Sequence, residues 1–127
     1  MASFLQRLAE RIYRQPTKED LASRARDIED ANMRVLTDMS YPLETRQTAL
    51  NHVPNSAVRH QVIFAPEREM RVSAAYCMKT SIENKRFLDS VARTHTDQFT
   101  ARAAADRSAR MGRALGLDKP FRTPRLE

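Results

Sequence analysis

The scarcity of glycine constrains this chain more than any other feature. Its 127 residues include two glycines, Gly112 and Gly116, so residues 1–111 lack the side chain that adopts positive-φ turns at no steric cost. Tight β-hairpins depend on such turns, whereas helices joined at prolines do not. Ala, Arg, Glu, Leu and Met, all good helix formers, dominate the composition. We therefore predict an all-α fold of short helices joined by proline corners.

Large apolar side chains are few. Leu, Ile, Val and Phe make up 25 of the 127 residues, about a fifth, which is near the level at which charged chains become disordered. Folding has to offset about 1–2 kcal/mol of backbone entropy per residue. A chain with so little to bury gains stability by covering its surface with a partner. We predict a single helical domain, 1–127, that acts as a subunit of something larger.

The chain is basic, with a net charge of +6 and 18 Arg among its 22 cationic residues. Such a surface favours nucleic acid, an anionic membrane surface or an acidic protein. The planar guanidinium suits carboxylates and phosphates, although a GC-rich genome produces the same arginine bias. Cys77 is alone, which excludes an internal disulfide and is typical of a reducing compartment. No apolar run approaches the roughly 20 residues of a membrane span.

Two helices are predicted before Pro42. Ser3 can cap a first amphipathic helix that ends at Pro16. Its arginines are also typical of a mitochondrial transit peptide, but Glu10 argues against that interpretation and favours an ordinary packing helix. Thr17 caps a second helix that should run from about Lys18 to Met39. The apolar stripe of this second helix consists of Leu21, Ala25, Ile28, Asn32, Val35 and Met39.

Prolines divide the middle of the chain. After Pro42 we predict a short helix from Leu43 to His52, and after Pro54 a segment from Ala57 to Phe64 that is either helix or strand, because Val and Ile favour strand. Beyond Pro66 a helical pattern continues from Glu67 to Met111. Its stripe weakens at 83–85, which predicts either a kink or a second helix beginning near Asn84.

The C-terminal part of this long helix carries almost no large apolar group. Residues 101–114 are rich in Ala and Arg, so we expect this part to project from the core or to lie on a partner. The tail from Leu117 to Glu127 contains two prolines and should be extended, and stable only when docked. We therefore expect residues 101–127 to form a projecting helix end and a tail that docks on a partner.

Catalytic and cofactor signatures are missing from the sequence. The three histidines and Cys77 have no metal-ligand spacing, and neither glycine belongs to a phosphate loop. No nucleophile–base set or carboxylate pair stands out. We predict a protein that is not an enzyme and that has no cofactor and no metal.

Nucleic-acid binding is the alternative that the charge pattern supports. Residues 93–125 carry eight basic side chains against three acidic ones, as phosphate binding requires. Phe99 and Phe121 are the only aromatic residues available there for stacking on bases. No helix-turn-helix or zinc-finger pattern accompanies them. A ribosomal or phage nucleic-acid-associated protein, or a phage virion or scaffold component, remains the second hypothesis.

The amino-acid sequence of the central stretch resembles that of a known protein family. The segments that carry the resemblance are Leu21-Ala-Ser-Arg-Ala-Arg26, Leu36-Thr-Asp-Met-Ser-Tyr41, Gln47-Thr-Ala-Leu-Asn-His-Val-Pro54, then Arg68 and Arg71 with Ala74 and Lys79, and Arg113-Ala-Leu-Gly116. They are similar to the small, cytochrome b-associated accessory subunit of mitochondrial ubiquinol–cytochrome c reductase. Val53 stands where that family usually has Leu.

The resemblance implies a structural role. The expected protein is helical, has no redox centre, and lies peripherally on the matrix side of the mitochondrial inner membrane, where it stabilises cytochrome b and neighbouring subunits. Contacts with anionic lipid are also implied. We predict that partner contacts use the arginines of the centre and of the C-terminal part, namely Arg59, Arg68, Arg71, Arg102, Arg110 and Arg113.

Overall fold

The computed structural model describes residues 3–6 and 17–117, and within these ranges the chain forms helices and no strand. This confirms the all-α prediction. The helices are α1 (Lys18–Thr37), α2 (Leu43–Ala49), a 3-10 turn (Leu50–His52), α3 (Asn55–Phe64), α4 (Arg68–Cys77), α5 (Ile82–Thr94) and α6 (Gln98–Ala114). Most of the predicted first helix and the tail after Leu117 lie outside the described residues.

The start of α1 follows directly from its sequence. The Thr17 hydroxyl accepts from the backbone N–H of Asp20 at 3.1 Å, and the Asp20 carboxylate accepts from the backbone N–H of Thr17 at 3.1 Å. This reciprocal capping box satisfies two N–H groups that have no partner inside the helix. Ser3 and Gln6 form the same kind of pair, so the predicted cap at Ser3 is confirmed.

The corners between the first helices need no glycine. Pro42 and Pro54 each stand immediately before a helix, α2 and α3, with extended backbone. Gly116 is the only residue with positive φ in the part of the chain that the structure describes. The segment that the sequence left open between helix and strand is α3, because a proline start and packing against α4 outweigh the strand preference of Val and Ile.

The helical pattern from Glu67 to Met111 is divided by two breaks, of which the sequence predicted one. Three helices occupy this stretch, and α5 begins at Ile82, close to the second start expected at Asn84. The Ser81 hydroxyl accepts from the N–H of Asn84 at 3.0 Å, and the Asp97 carboxylate accepts from the N–H of Phe99 at 3.2 Å. Each cap starts a new helix. The break before α6 was not predicted, because the apolar stripe continues into the core on both sides of it.

The expectation that residues 101–114 project from the core is also wrong. This segment belongs to α6, which packs along α5 and α4. Its buried residues are small except for one, and they are Thr100, Ala103, Ala104, Ser108, Met111 and Gly112. Small side chains let the helices approach closely, so a helix poor in large apolar groups can still be a core element. A Cβ added at Gly112 would lie 3.1 Å from Lys85 Cε.

The core lies between the 3-10 turn and helices α3 to α6. Its largest fully buried side chains are Leu50, Val62, Met70, Met78, Leu88, Thr100 and Met111. Three of these seven are methionines, whose unbranched side chains fill irregular gaps. By contrast, α1 contributes one buried residue, Leu36. The fold is therefore a helical body with α1 attached by its C-terminal end.

Candidate interaction surfaces

The N-terminal part of α1 stands away from the body. All residues from 18 to 31 are exposed, and we call this stretch the arm. Leu21 and Ile28 are 52% and 56% exposed, although they share one face of the helix with Ala25. The arm is anchored where Leu36 is buried and where Val35 packs against the core. An apolar stripe on a helix is expected to face a partner, and within the described residues this stripe has none.

The central arginines were predicted to face outward, but Arg59 is largely used inside the chain. Its Nη2 donates to the Asn84 amide oxygen at 3.0 Å, and its guanidinium lies 5.5 Å from the centre of the Phe87 ring. Asn84 is buried and also donates to the Lys79 carbonyl at 2.7 Å. Arg59 therefore joins α3 to the start of α5, leaving only part of its surface for a partner.

Arg71 is the centre of a hydrogen-bond network between three helices. Its Nη1 donates to the Ala65 carbonyl at 2.7 Å, its Nε to the Thr100 hydroxyl at 3.0 Å, and its Nη2 to Asp97 Oδ2 at 2.8 Å. The side chain is 14% exposed. The prediction that Arg71 contacts a partner is therefore not supported by its position, because its donors are already engaged within the fold.

Arg68 lies at the edge of the same network and is half-exposed. Its Nε donates to Asp97 Oδ2 at 3.1 Å, and its guanidinium lies 4.2 Å from the centre of the Phe99 ring. Phe99 is itself largely exposed. Of the three central arginines, Arg68 keeps the most surface for a partner.

The carboxylate of Asp97 is strongly stabilised in its charged form. Hydrogen bonds from Arg71 first, and then from Thr100 and Arg68, hold the pKa of Asp97 far below its usual range, against a smaller opposing effect of burial. A depressed pKa contributes stability above the unfolded-state value, near pH 4, and that contribution is lost as the pH falls toward the folded-state value. The network is thus a source of acid sensitivity.

We expect the Asp97→Asn variant to lose less stability than the wild type between about pH 4 and pH 2, because the variant has no proton to take up at this position. The measurement is urea unfolding at a series of pH values. Asp89 and Asp38, whose pKa values are also lowered, should leave a residual slope in both proteins. Equal slopes for the two proteins would contradict the assignment.

The C-terminal arginines differ in their surroundings. Arg102 and Arg113 are exposed on α6 and form no ion pair with any described residue. Arg110 pairs with Asp106 at 3.2 Å, and its guanidinium lies 5.6 Å from the centre of the Tyr76 ring. Arg102 and Arg113 are therefore the predicted contact residues that the fold leaves most accessible.

A cleft of about 510 Å³ lies between α5 and α6, next to the exposed side chains of Ile82 and Leu117. Inside it, the Lys85 ammonium lies 3.0 Å from Asp89 Oδ2 and 3.3 Å from the Ser108 hydroxyl, which also donates to Asp89. The Asp89 carboxylate thus accepts from both Lys85 and Ser108, and the cluster links α5 to α6.

Other reactive groups are similarly occupied. Burial raises the pKa of the Cys77 thiol, which disfavours the reactive thiolate. Among residues 3–6 and 17–117, no group of three or more His, Cys, Asp or Glu side chains could hold a metal ion.

One functional contact of the fold escaped the sequence analysis. Arg46 is 5% exposed, and its Nη1 lies 2.5 Å from Glu67 Oε1, an oxygen that is itself shut off from water. Its Nε donates to the Tyr41 carbonyl at 3.1 Å. The pair connects α2 to the start of α4. No local sequence pattern predicts this ion pair, because Arg46 and Glu67 are distant in sequence.

The search for similar proteins gave no assignment. The chain matches no known protein family, no curated protein and no solved structure. None of the helices in the described ranges is long and apolar enough to cross a membrane.

Proposed function

We propose that this chain is a non-catalytic accessory subunit of a larger protein assembly, which it joins through the arm of α1. The observation that carries the proposal is the stripe of Leu21, Ala25 and Ile28, which the body leaves uncovered. Leaving two large aliphatic side chains half-exposed on one helix face forgoes about 1 kcal/mol or more each, which a docked partner would recover. The thin core supports the same conclusion.

The resemblance at residues 47–54 makes a mitochondrial respiratory complex of the ubiquinol–cytochrome c reductase type the first assembly to test. In that setting the chain would lie peripherally on the matrix side of the inner membrane, stabilising its neighbours. The exposed Arg68, Arg102 and Arg113 would then meet acidic protein surfaces or anionic lipid headgroups.

Nucleic-acid binding is the second candidate, and it is favoured by Arg102 and Arg113 on α6, which are exposed and form no ion pair with a described residue. Such binding would be sequence-independent and would weaken steeply as the salt concentration rises. The arm would have no part in it.

Capture of the tagged full-length chain from extracts of its own cells tests both functions. We expect a defined protein complex in stoichiometric amount, and we expect Leu21→Asp/Ile28→Asp to abolish its capture, because these residues are exposed and their replacement leaves the body intact. Phe64→Asp, at an exposed apolar residue of the body, is the matched control and should capture the complex normally.

Two outcomes would reject the accessory-subunit proposal. The first is undiminished capture of the complex by the Leu21→Asp/Ile28→Asp variant. The second is capture of nucleic acid that survives in the arm variant and is lost in Arg102→Glu/Arg113→Glu, which would establish the second candidate instead.

A further inference from the structure

The arm has the sequence of a coiled-coil seam. Its stripe residues, Leu21, Ala25, Ile28, Asn32 and Val35, are separated alternately by four and three positions, which is the spacing of the two apolar positions of a heptad. The first three are exposed, and the last two are half-buried at the base of the arm. The apolar stripe therefore runs from the exposed part of α1 to the part that packs against the body.

A cavity lies at the lower end of this seam. It measures about 420 Å³ between α1 and α2, and it is lined by Asn32, Val35, Glu44, Thr45, Thr48 and Ala49. The Asn32 amide donates to the Ile28 carbonyl of its own helix at 2.8 Å, so covering this residue does not leave that donor unsatisfied. A side chain that followed the seam downward would enter the cavity.

An antiparallel copy of the same helix fits this arrangement. When the heptad positions alternate across an antiparallel pair, Ala25 lies opposite Ile28 of the second copy, and Leu21 lies opposite Asn32 of the second copy. Small residues then face large ones, as close packing requires. The Leu21 side chain of each chain comes over the cavity of the other.

Charge supports the same register. One heptad away from the pair of Ala25 and Ile28, Lys18 of one chain lies opposite Val35 of the other. Val35 and Glu44 both line the cavity. Neither Lys18 nor Glu44 makes an ion pair with any other residue that the structure describes. Beside the seam, Arg24 of one chain lies near Ala31 of the other, and Ala22 lies near Glu29 of the other. No two like charges are therefore adjacent.

A parallel pair is less compatible with the body. It would place Arg24 beside Glu29 of the second copy, which is favourable. However, it would also bring both bodies to the same end of the pair. There Val35 and Leu36 already pack against their own core. The antiparallel arrangement places the two bodies at opposite ends.

We propose that the partner of the arm is a second copy of this chain, with the two α1 helices antiparallel and Leu21 of each seated in the cavity of the other. The proposal rests on the proposed docking role of the arm and names its occupant. The contact involves one helix face per chain, which belongs to the small end of protein interfaces. The dimer is therefore reversible, and it forms as the concentration rises.

Sedimentation equilibrium of the purified full-length chain over a concentration series tests this pairing. We expect a monomer–dimer equilibrium that Leu21→Asp abolishes and that the Phe64→Asp control leaves unchanged. Lys18→Glu alone and Glu44→Lys alone should each weaken dimerisation by about tenfold, since two symmetry-related ion pairs become repulsions. The double variant Lys18→Glu/Glu44→Lys should restore it. Arg24→Glu should have no effect.

The outcomes separate this proposal from the one on which it rests. A wild-type chain that stays monomeric at every concentration would overturn the self-pairing, while a complex captured through Leu21 and Ile28 would still support docking of the arm on another protein. A dimer that weakens in Arg24→Glu and does not respond to the Lys18 and Glu44 reversals would overturn the antiparallel arrangement.

Discussion

Replacing Glu67 by alanine should lower the free energy of unfolding by about 3 kcal/mol, because it leaves the Arg46 guanidinium buried without its counter-ion. The two partners are not equivalent. Arg46 is almost completely buried, whereas the Glu67 side chain keeps 31% of its surface exposed. Removing the more exposed partner therefore does the greater damage, since a lone Glu67 could still be hydrated and a lone Arg46 could not.

Urea unfolding of Glu67→Ala, Arg46→Met and the double variant checks this order. Arg46→Met should cost less than Glu67→Ala, and the double variant should recover part of the loss. Glu69→Ala is the matched control, because Glu69 lies in the first turn of the same helix but is exposed, so its loss should cost about 0.5 kcal/mol or less. Equal effects at positions 67 and 69 would contradict a stabilising role for the ion pair.

Replacing Arg71 by alanine should cost about 2–4 kcal/mol, because the Ala65 carbonyl and the Asp97 carboxylate each lose a charged donor. The Ala65 residue is buried, so water is poorly placed to take over. The loss should be visible as a lower midpoint in urea unfolding. Arg71→Lys should recover only part of it, since an ammonium cannot reproduce a fork of donors aimed at three acceptors.

Arg68→Ala is the matched control for the stability loss expected in Arg71→Ala. Arg68 shares the Asp97 oxygen but is about half-exposed, so its removal should cost less than about 1 kcal/mol. If the two alanine variants were equally stable, the hydrogen bonds of Arg71 would contribute no more than a surface ion pair.

The helix starts that depend on local chemistry were predictable from the sequence. Thr17 and Ser3 act as caps where the pattern placed them, and Pro42 and Pro54 stand before helices. The weaker stripe at 83–85 indicated the break near Ser81, whereas the cap at Asp97 was not predicted, because the apolar stripe continues past it. The spacing of apolar residues predicts which face of a helix is buried. It does not predict where one helix ends and the next begins in another direction, if both bury the same face.

Burial by small residues and contacts between distant residues were the other sources of error. Ala104 and Ser108 bury α6 without any large side chain, so an argument from apolar volume alone expected that helix to project. The side chains that hydrogen-bond to Arg59 and Arg71 lie 25 or more residues away. Their inward orientation depends on the tertiary fold. The exposure of Leu21 and Ile28 was also not predicted, because the stripe they belong to has the period of a packed helix face.

The arm is exposed along its whole length, and this has a consequence for how tightly the chain can be held by a partner. Isolated helices shorter than about 12–15 residues are marginal in water, and all residues from 18 to 31 are exposed. Part of the binding free energy is therefore spent on ordering the arm itself, at about 1–2 kcal/mol per residue that must be fixed. Dilution then releases the arm and melts it while the body stays folded, so exchange of partners leaves the core of the subunit intact.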